Sequence, residues 1–227
     1  MDLKKLHKSL GEKTYDVLRE MIIYGKIKAD TRLIEDRMAS ELGVSRTTIK
    51  QAFIRLKEEG LLREVAGHGI QVNLLSKEEV LEAYEFREVL EGLTTRMAAR
   101  SLSSDKVSHM IREFEKLKAE GDHLNLEELD NADLAFHAMI AECTLNKLVP
   151  KLIFSLLAQI FAFHGGFLQL VRYIPPQKII QSHLEILSAI KNHDAPLAES
   201  LMRKHVNEAK DAFLNIFSDQ RKPSVNE

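Results

Sequence analysis

Asp133 and His137 stand four residues apart, so on a helix both project from one face, one turn from each other. Two further histidines lie in amphipathic contexts that would turn them inward. His183 precedes Leu184, Leu187 and Ile190, and His205 follows Leu201 and Met202. Three imidazoles and one carboxylate are donor types that suit zinc, nickel, manganese or iron. Each residue also has an ordinary explanation: an inward His is often a hydrogen-bonded core residue, and an i,i+4 Asp-His pair is often a simple side-chain contact. Spacing alone leaves both readings open. If an ion is held, one use is a metal-dependent hydrolase, but that needs a positioned general base, and no H-E-x-x-H or comparable motif supplies one.

A second set of residues suits nucleic acid. From Glu35 to Leu42 the apolar positions Met38, Ala39 and Leu42 keep helical spacing, and Gly43 then supplies a tight turn. Ser45 follows as an N-cap. Beyond it Ile49, Ala52, Phe53 and Leu56 form one buried stripe of a helix that ends at Gly60. Arg46, Thr47 and Thr48 occupy the first turn of that helix and Lys50 lies just beyond, all away from the stripe. In helix-turn-helix proteins the residues that open the second helix reach base edges in the major groove, where Arg can be bidentate to guanine and Thr can meet a thymine methyl or a phosphate. The apolar runs Leu61 to Val65 and Ile70 to Val72, joined by Ala66-Gly67-His68-Gly69, predict a hairpin wing. Leu10, Tyr15, Leu18 and Ile22 mark a backing helix over Ser9 to Tyr24, ended by Gly25.

The elements that must position the first constellation come later in the chain. Leu74-Leu75-Ser76 forms a boundary, giving domains of residues 1–75 and 76–227, and Ser76 to Glu79 reads as a capping box. No strand signal follows. Helices are expected over 77–101, 104–120, 125–143, 146–163, 166–172, 176–192 and 195–218, punctuated by Gly121-Asp122, Gly165-Gly166, Pro175-Pro176 and Asp194 through Pro196. The fold class is therefore mainly α: an N-terminal winged helix-turn-helix with a small β-hairpin, then an all-α antiparallel bundle of six or seven helices.

Composition narrows the setting. With 227 residues, 44% of them hydrophobic, the chain can bury a full core. One cysteine, Cys143, excludes an intramolecular disulfide framework, and MDLKKLHK is not followed by an apolar signal core. Leu148 to Leu170 is the most apolar segment, but Lys151, Gln159, His164 and the glycine pair interrupt it, so no membrane span is expected. A cytoplasmic protein is the simplest reading. The net charge of −2 divides unevenly: residues 1–75 hold 14 Lys/Arg against 11 Asp/Glu, whereas residues 76–227 hold 18 against 23. Affinity for phosphate follows local charge, so the basic N-terminal third fits a DNA-binding role. The arm of Lys4, Lys5, His7 and Lys8 is expected to be disordered, with a phosphate contact as the alternative.

These stretches also resemble a known family. TYDVLREMIIYGKIKADTRLIEDRMASELGVSRTTIKQAFIRLKEEGLL is similar to the winged helix-turn-helix of GntR-type bacterial transcription regulators. Ala29-Asp30 stands where the family usually has Pro-Gly, Thr48 where it has Pro, Lys50 where it has Arg, and Asp36 falls near a position often occupied by Arg. YEFREVLE, DLAFH, SHLEILSAIKNHD and MRKHV resemble successive motifs of the FCD effector domain of the FadR-type branch, over most of residues 77–215. The resemblance implies a homodimer on a palindromic double-stranded operator, acting as a ligand-responsive regulator, with repression the commoner mode. DNA contacts would come from Ser45, Arg46, Thr47, Thr48 and Lys50, and from His68 and Gly69 of the wing. It also implies that Asp133, His137, His183 and His205 together hold a divalent metal, zinc first, with nickel, manganese or iron as alternatives. A small carboxylate effector would bind nearby. Arg87 is the first candidate to grip it, unless it simply pairs with Glu91; Asn146 and Arg172 are further candidates, unless one is a helix cap and the other a solvated side chain.

Overall fold

The computed structural model describes residues 9–73, 75–164 and 170–219. The basic arm and residues 165–169, which include the glycine pair and the start of the helix expected over 166–172, lie outside that range. By their contacts the described residues fall into two compact units, those within Met1–Val80 and Leu157–Gly166, and those within Leu81–Leu156 and Phe167–Glu227.

In the first unit, helix α1 (Leu10–Ile23) starts at a reciprocal capping box between Ser9 and Glu12. Strand β1 (Arg32–Leu33) leads into α2 (Glu35–Leu42) and α3 (Arg46–Glu58), and the wing strands are β2 (Leu62–Val65) and β3 (Gly69–Val72). Gly43 closes α2 at φ 65°, a left-handed conformation that only glycine adopts without cost, so the chain reverses directly into the Ser45 cap of α3. The buried faces of α1 and α3 meet through Tyr15, Leu18, Ile22, Ile49, Phe53 and Leu56. Tyr15 pins the pair: its hydroxyl donates to Glu59, Arg19 Nε donates to the other Glu59 oxygen at 3.3 Å, and the Arg55 guanidinium carbon lies 3.7 Å from the Tyr15 ring centre. Burial, with Glu59 beside it, raises the Tyr15 phenol and keeps it a donor.

The expected two-stranded wing is a three-stranded sheet in the order β1-β3-β2. Arg32 and Leu33 pair antiparallel with Gln71 and Ile70. A two-residue strand has no periodicity to announce it; its pairing is fixed by the chain that brings it beside β3.

From Lys77 on the described chain is helical, and most of it makes up the second unit, with 77–80 and 157–164 counted in the first. Helices α4 (Lys77–Ser101), α5 (Ser104–Ala119), α6 (Leu126–Ala141), α7 (Leu148–His164), α8 (Pro176–Lys191) and α9 (Ala195–Asp219) follow in order, with a short 3-10 turn at Gly121–His123. The Ser76–Glu79 capping box forms, at 2.7 and 3.2 Å. Asn125 caps α6 by accepting from Glu127 and Glu128, and Pro176 opens α8 at its first position. Fully buried Tyr84, Phe114, Phe136 and Phe213 fill the core of the second unit. Among the described residues no helix is long and apolar enough to cross a membrane.

Candidate metal centre and DNA-reading face

Asp133 and His137 sit on the buried face of α6 beside Leu129, Phe136 and Ile140, His183 on the buried face of α8, and His205 on α9 between buried Met202 and Val206. The structure brings all four together: each offers a donor atom, and these atoms lie within 4.8 Å of one another. Two opposite ligands with bonds of about 2.1 Å would stand about 4.2 Å apart, so a shift of a few tenths of an ångström suffices to share one ion.

The protonation pattern of the rings follows from their outer partners. His183 Nδ1 donates to the Ile179 carbonyl at 2.8 Å, and a carbonyl can only accept. His137 Nδ1 donates to the Glu91 carboxylate. Ser182 directs its hydroxyl hydrogen to Ile179 at 3.1 Å, which leaves its oxygen to accept from His205 Nδ1 at 2.8 Å. These contacts leave the Nε2 atoms of His137 and His183 facing Asp133. His183 Nε2 is 3.3 Å and His137 Nε2 is 3.8 Å from the Asp133 oxygens. His183 Nε2 is also buried without a hydrogen-bond partner. Such a group costs about 1 to 3 kcal/mol if nothing meets it. Three imidazoles and a carboxylate with converging donor atoms are the donor set of a cation site, and the residues fit a divalent ion.

Electrostatics agree. Burial would raise the Asp133 carboxyl, but His137, then His183 and Arg87, hold it below the usual range. For Glu91 burial also works upward; Arg87 and His137 outweigh it and hold the carboxyl at about 2. Burial pushes His205 well below the ordinary imidazole value, and the neighbouring His183, His137 and Arg87 add to this against the opposing Glu91. A deprotonated Asp133 and a His205 that resists protonation are states a metal requires of its ligands. Phe114 stacks on His183 at 4.7 Å between centres and Phe136 meets it edge-on at 4.4 Å, so the ring cannot turn away. His205 keeps an outer edge partly exposed in a cleft of about 110 Å³ lined by Lys178, Ser182, Lys204 and Glu208.

The effector candidates are placed differently. Arg87 is buried on α4, and its Nε donates to Glu91 Oε1 at 2.6 Å, so Arg87, Glu91 and His137 form one chain of contacts behind the cluster. Asn146 is exposed and accepts from Leu148 N at 2.9 Å, at the start of α7. Arg172 is exposed. Sequence reading connected Glu91 with Arg87 but not with His137, and missed Ser182 and the Ile179 carbonyl. The contact between Glu91 and His137 spans 46 residues, and no spacing rule reaches that far.

On the first unit, Arg46, Thr47 and Lys50 are exposed at the opening of α3, while Ser45 Oγ accepts from Thr48 N at 3.1 Å and contacts the Thr48 hydroxyl at 2.7 Å. Thr48 is thus partly spent on the cap. His68 is exposed at the wing tip with Nδ1 3.1 Å from the Ala66 carbonyl oxygen, and Gly69 takes φ 76°. Arg46 Nε meets Asp36 at 3.1 Å and Glu35 at 3.4 Å.

A winged helix-turn-helix that exposes Arg, Thr and Lys at the start of its second helix, in one chain with a helical bundle enclosing a donor cluster, defines a DNA-binding transcription regulator. The chain belongs to the GntR family of bacterial regulatory proteins with an FCD domain: residues 10–72 match the first description and residues 82–208 the second. It is 24% identical over 207 residues to the HTH-type transcriptional repressor RspR of Escherichia coli (strain K12), covering 91% of this chain and 90% of that one. It is 24% identical over 220 residues to the gluconate operon transcriptional repressor of Bacillus licheniformis, covering 94% and 88%. The structure of E. coli McbR/YncC superposes with a TM-score of 0.69 at 19% identity, over 95% of this chain and all of that one, a likeness of fold. Membership of this family makes the protein a regulator and not an enzyme, which removes the hydrolase reading.

Proposed function

We propose that the protein is a homodimeric repressor of the cytoplasm that binds a palindromic operator and releases it when a small carboxylate binds beside a divalent metal. Asp133, His137, His183 and His205 hold the ion, zinc before nickel, manganese or iron. The observation that carries the reading is the convergence of one donor atom each from Asp133, His137, His183 and His205 to within 4.8 Å of one another, with His183 Nε2 buried and without a hydrogen-bond partner. Charge favours an anionic effector: a divalent ion beside one carboxylate leaves a net single positive charge, and Glu91 and Arg87 offset each other behind it. Arg87 acts in this scheme by holding Glu91, and the ion itself grips the acid.

The operator contacts follow the helix-turn-helix pattern, with Arg46 and Thr47 on base edges, Ser45, Thr48 and Lys50 on the backbone, and His68 and Gly69 of the wing beside it. The named repressors among the relatives support this mode. Dimerisation is supported by an exposed apolar stripe on α4, Phe86, Val89, Leu93 and Met97.

The test combines metal analysis of the purified protein with anisotropy titrations on DNA upstream of its own gene. About one divalent ion per chain is expected, with salt-sensitive, sequence-selective binding weakened by one member of an organic-acid panel and insensitive to that acid after chelation. A metal-free protein whose DNA affinity no acid changes would overturn the sensor reading.

A further inference from the structure

Arg46 opens α3 with a side chain 65% exposed, yet two carboxylates of α2 hold it. Asp36 Oδ1 lies 3.1 Å and Glu35 Oε2 3.4 Å from the same atom, Nε. The guanidinium is met at Nε, its inner edge, and among the described residues its two terminal nitrogens make no hydrogen bond. Neither acid pairs with another cation among those residues.

Helix chemistry explains part of this. Ile34 gives α2 no side-chain cap, so acids in its first turn oppose the positive end of the helix dipole. That role is met wherever a carboxylate points. It does not require both acids to converge on one guanidinium eleven residues along the chain. The convergence also sets the local charge: one Arg and two acids sum to −1, so a phosphate approaching Arg46 meets net repulsion. Guanine O6 and N7 carry only partial charges and accept two parallel N–H groups, which is what the free edge of Arg46 presents.

From this we infer that Glu35 and Asp36 are positioning residues that aim the terminal nitrogens of Arg46 at base edges and deny its guanidinium to DNA phosphates. Two carboxylates beside the reading residue form a repulsive element that sets specificity against non-specific DNA. The inference rests on the reading of Arg46 as a base contact.

The experiment uses the full chain and two duplexes of equal length, one selected by the wild type from a randomised pool and one scrambled, with anisotropy measured across a salt series. In Glu35→Gln/Asp36→Asn the freed Arg46 gains a phosphate. One added phosphate contact scales as salt to the power of about −0.9, so affinity for the scrambled duplex should rise about five-fold at 0.15 M salt and the salt slope should steepen by about 0.9. The ratio of selected to scrambled affinity should fall at least as far. In an Arg46→Ala background the acid substitutions should leave that ratio and slope unchanged. A gain of equal size without Arg46 is general charge repulsion and overturns the inference, as does an unchanged scrambled-duplex affinity. Parallel losses on both duplexes with a lower Tm confine the acids to supporting α2 and overturn it too. Should Arg46→Ala itself weaken both duplexes equally, Arg46 is a phosphate contact, and the base reading falls together with the inference; selective loss in Arg46→Ala with silent acid substitutions removes the inference alone.

Discussion

His183 Nε2 lies 3.3 Å from Asp133 Oδ1 while its Nδ1 is committed to the Ile179 carbonyl. A cation shared by these two atoms would meet the buried nitrogen, which has no hydrogen-bond partner. A bound metal predicts that His183→Ala lowers metal content from about one ion per chain toward zero, read by elemental analysis, while helical content by circular dichroism is retained. In the wild type, free metal at about a hundred times its Kd should add about 2.7 kcal/mol to unfolding stability. Full occupancy in the variant would remove His183 from the ligand set.

Glu91 joins Arg87 to His137 with all three side chains buried. Glu91→Gln keeps the size but removes the charge, and two separate effects are expected. Loss of an outer partner that orients a ligating His lowers metal affinity by about 10- to 100-fold. Leaving the Arg87 guanidinium buried without its counter-charge costs about 3 to 5 kcal/mol in chemical denaturation of the metal-free protein. Retained stability and metal affinity would show that the chain of contacts behind the cluster is dispensable.

Acid should destabilise the metal-free protein in two stages. His205 is depressed in the fold and its unfolded value is about 6.5, so the unfolded chain takes up a proton that the folded chain refuses. Its contribution is complete above about pH 6.5 and is lost as pH falls toward the lower folded value. Glu91 is held at about 2 in the fold, and its contribution is complete above the unfolded value of about 4.3 and is lost as pH falls through about 2. Calorimetry in chelator should show Tm declining over both windows. His205→Asn should flatten the upper decline alone.

Much of this was legible in the chain because it is written locally. Gly43 and Ser45 lie where a turn and a cap must be, and α2 and α3 begin and end within a residue or two of their signals. Asp133 and His137 share a helix face by spacing alone. His183 and His205 were placed inward by their apolar neighbours, but their meeting with Asp133 was carried by family likeness, since three helices separated in sequence must pack before they converge. The partners that fix each ring were illegible for a related reason. The Ile179 carbonyl is one of many in α8, and only the rotamer of His183, set by Phe114 and Phe136 packed around it, selects it. Strand β1 is two residues long and acquires its identity from β3.

Arg46 and Lys50 are both exposed near the start of α3, and their roles should separate in one experiment. Arg46→Ala is expected to cost about 1 to 3 kcal/mol on the selected duplex and to relax preference at one base position. Lys50→Ala should weaken selected and scrambled duplexes alike and reduce the salt slope by about 0.9, as one phosphate contact is lost. Anisotropy across a salt series measures both quantities. A base preference lost on removing Lys50 would exchange the two assignments.

Phe86, Val89, Leu93 and Met97 recur at three- and four-residue spacing on one exposed side of α4, opposite the side that buries Arg87 and Glu91. Arg203, bonded to Glu199 at 2.9 Å and Glu88 at 3.4 Å, and Arg96, bonded to Glu199 at 3.2 Å, form a polar rim along this stripe. An apolar centre inside a polar rim is the anatomy of a protein interface. Charge along the helix favours a second copy running antiparallel, because Glu82 and Glu85 lie in its first half and Arg96 and Arg100 in its last. Leu93→Glu sets a carboxylate at the middle of the face in both copies, where each would be desolvated beside the other. Sedimentation velocity at micromolar concentration is expected to show monomer, with the donor cluster retained because Leu93 is exposed whereas Asp133, His137 and His183 are buried. Operator affinity should then fall by about 10² to 10⁴, the advantage lost when two half-site contacts are no longer linked. An unchanged sedimentation coefficient would move the dimer contact to another surface of the bundle.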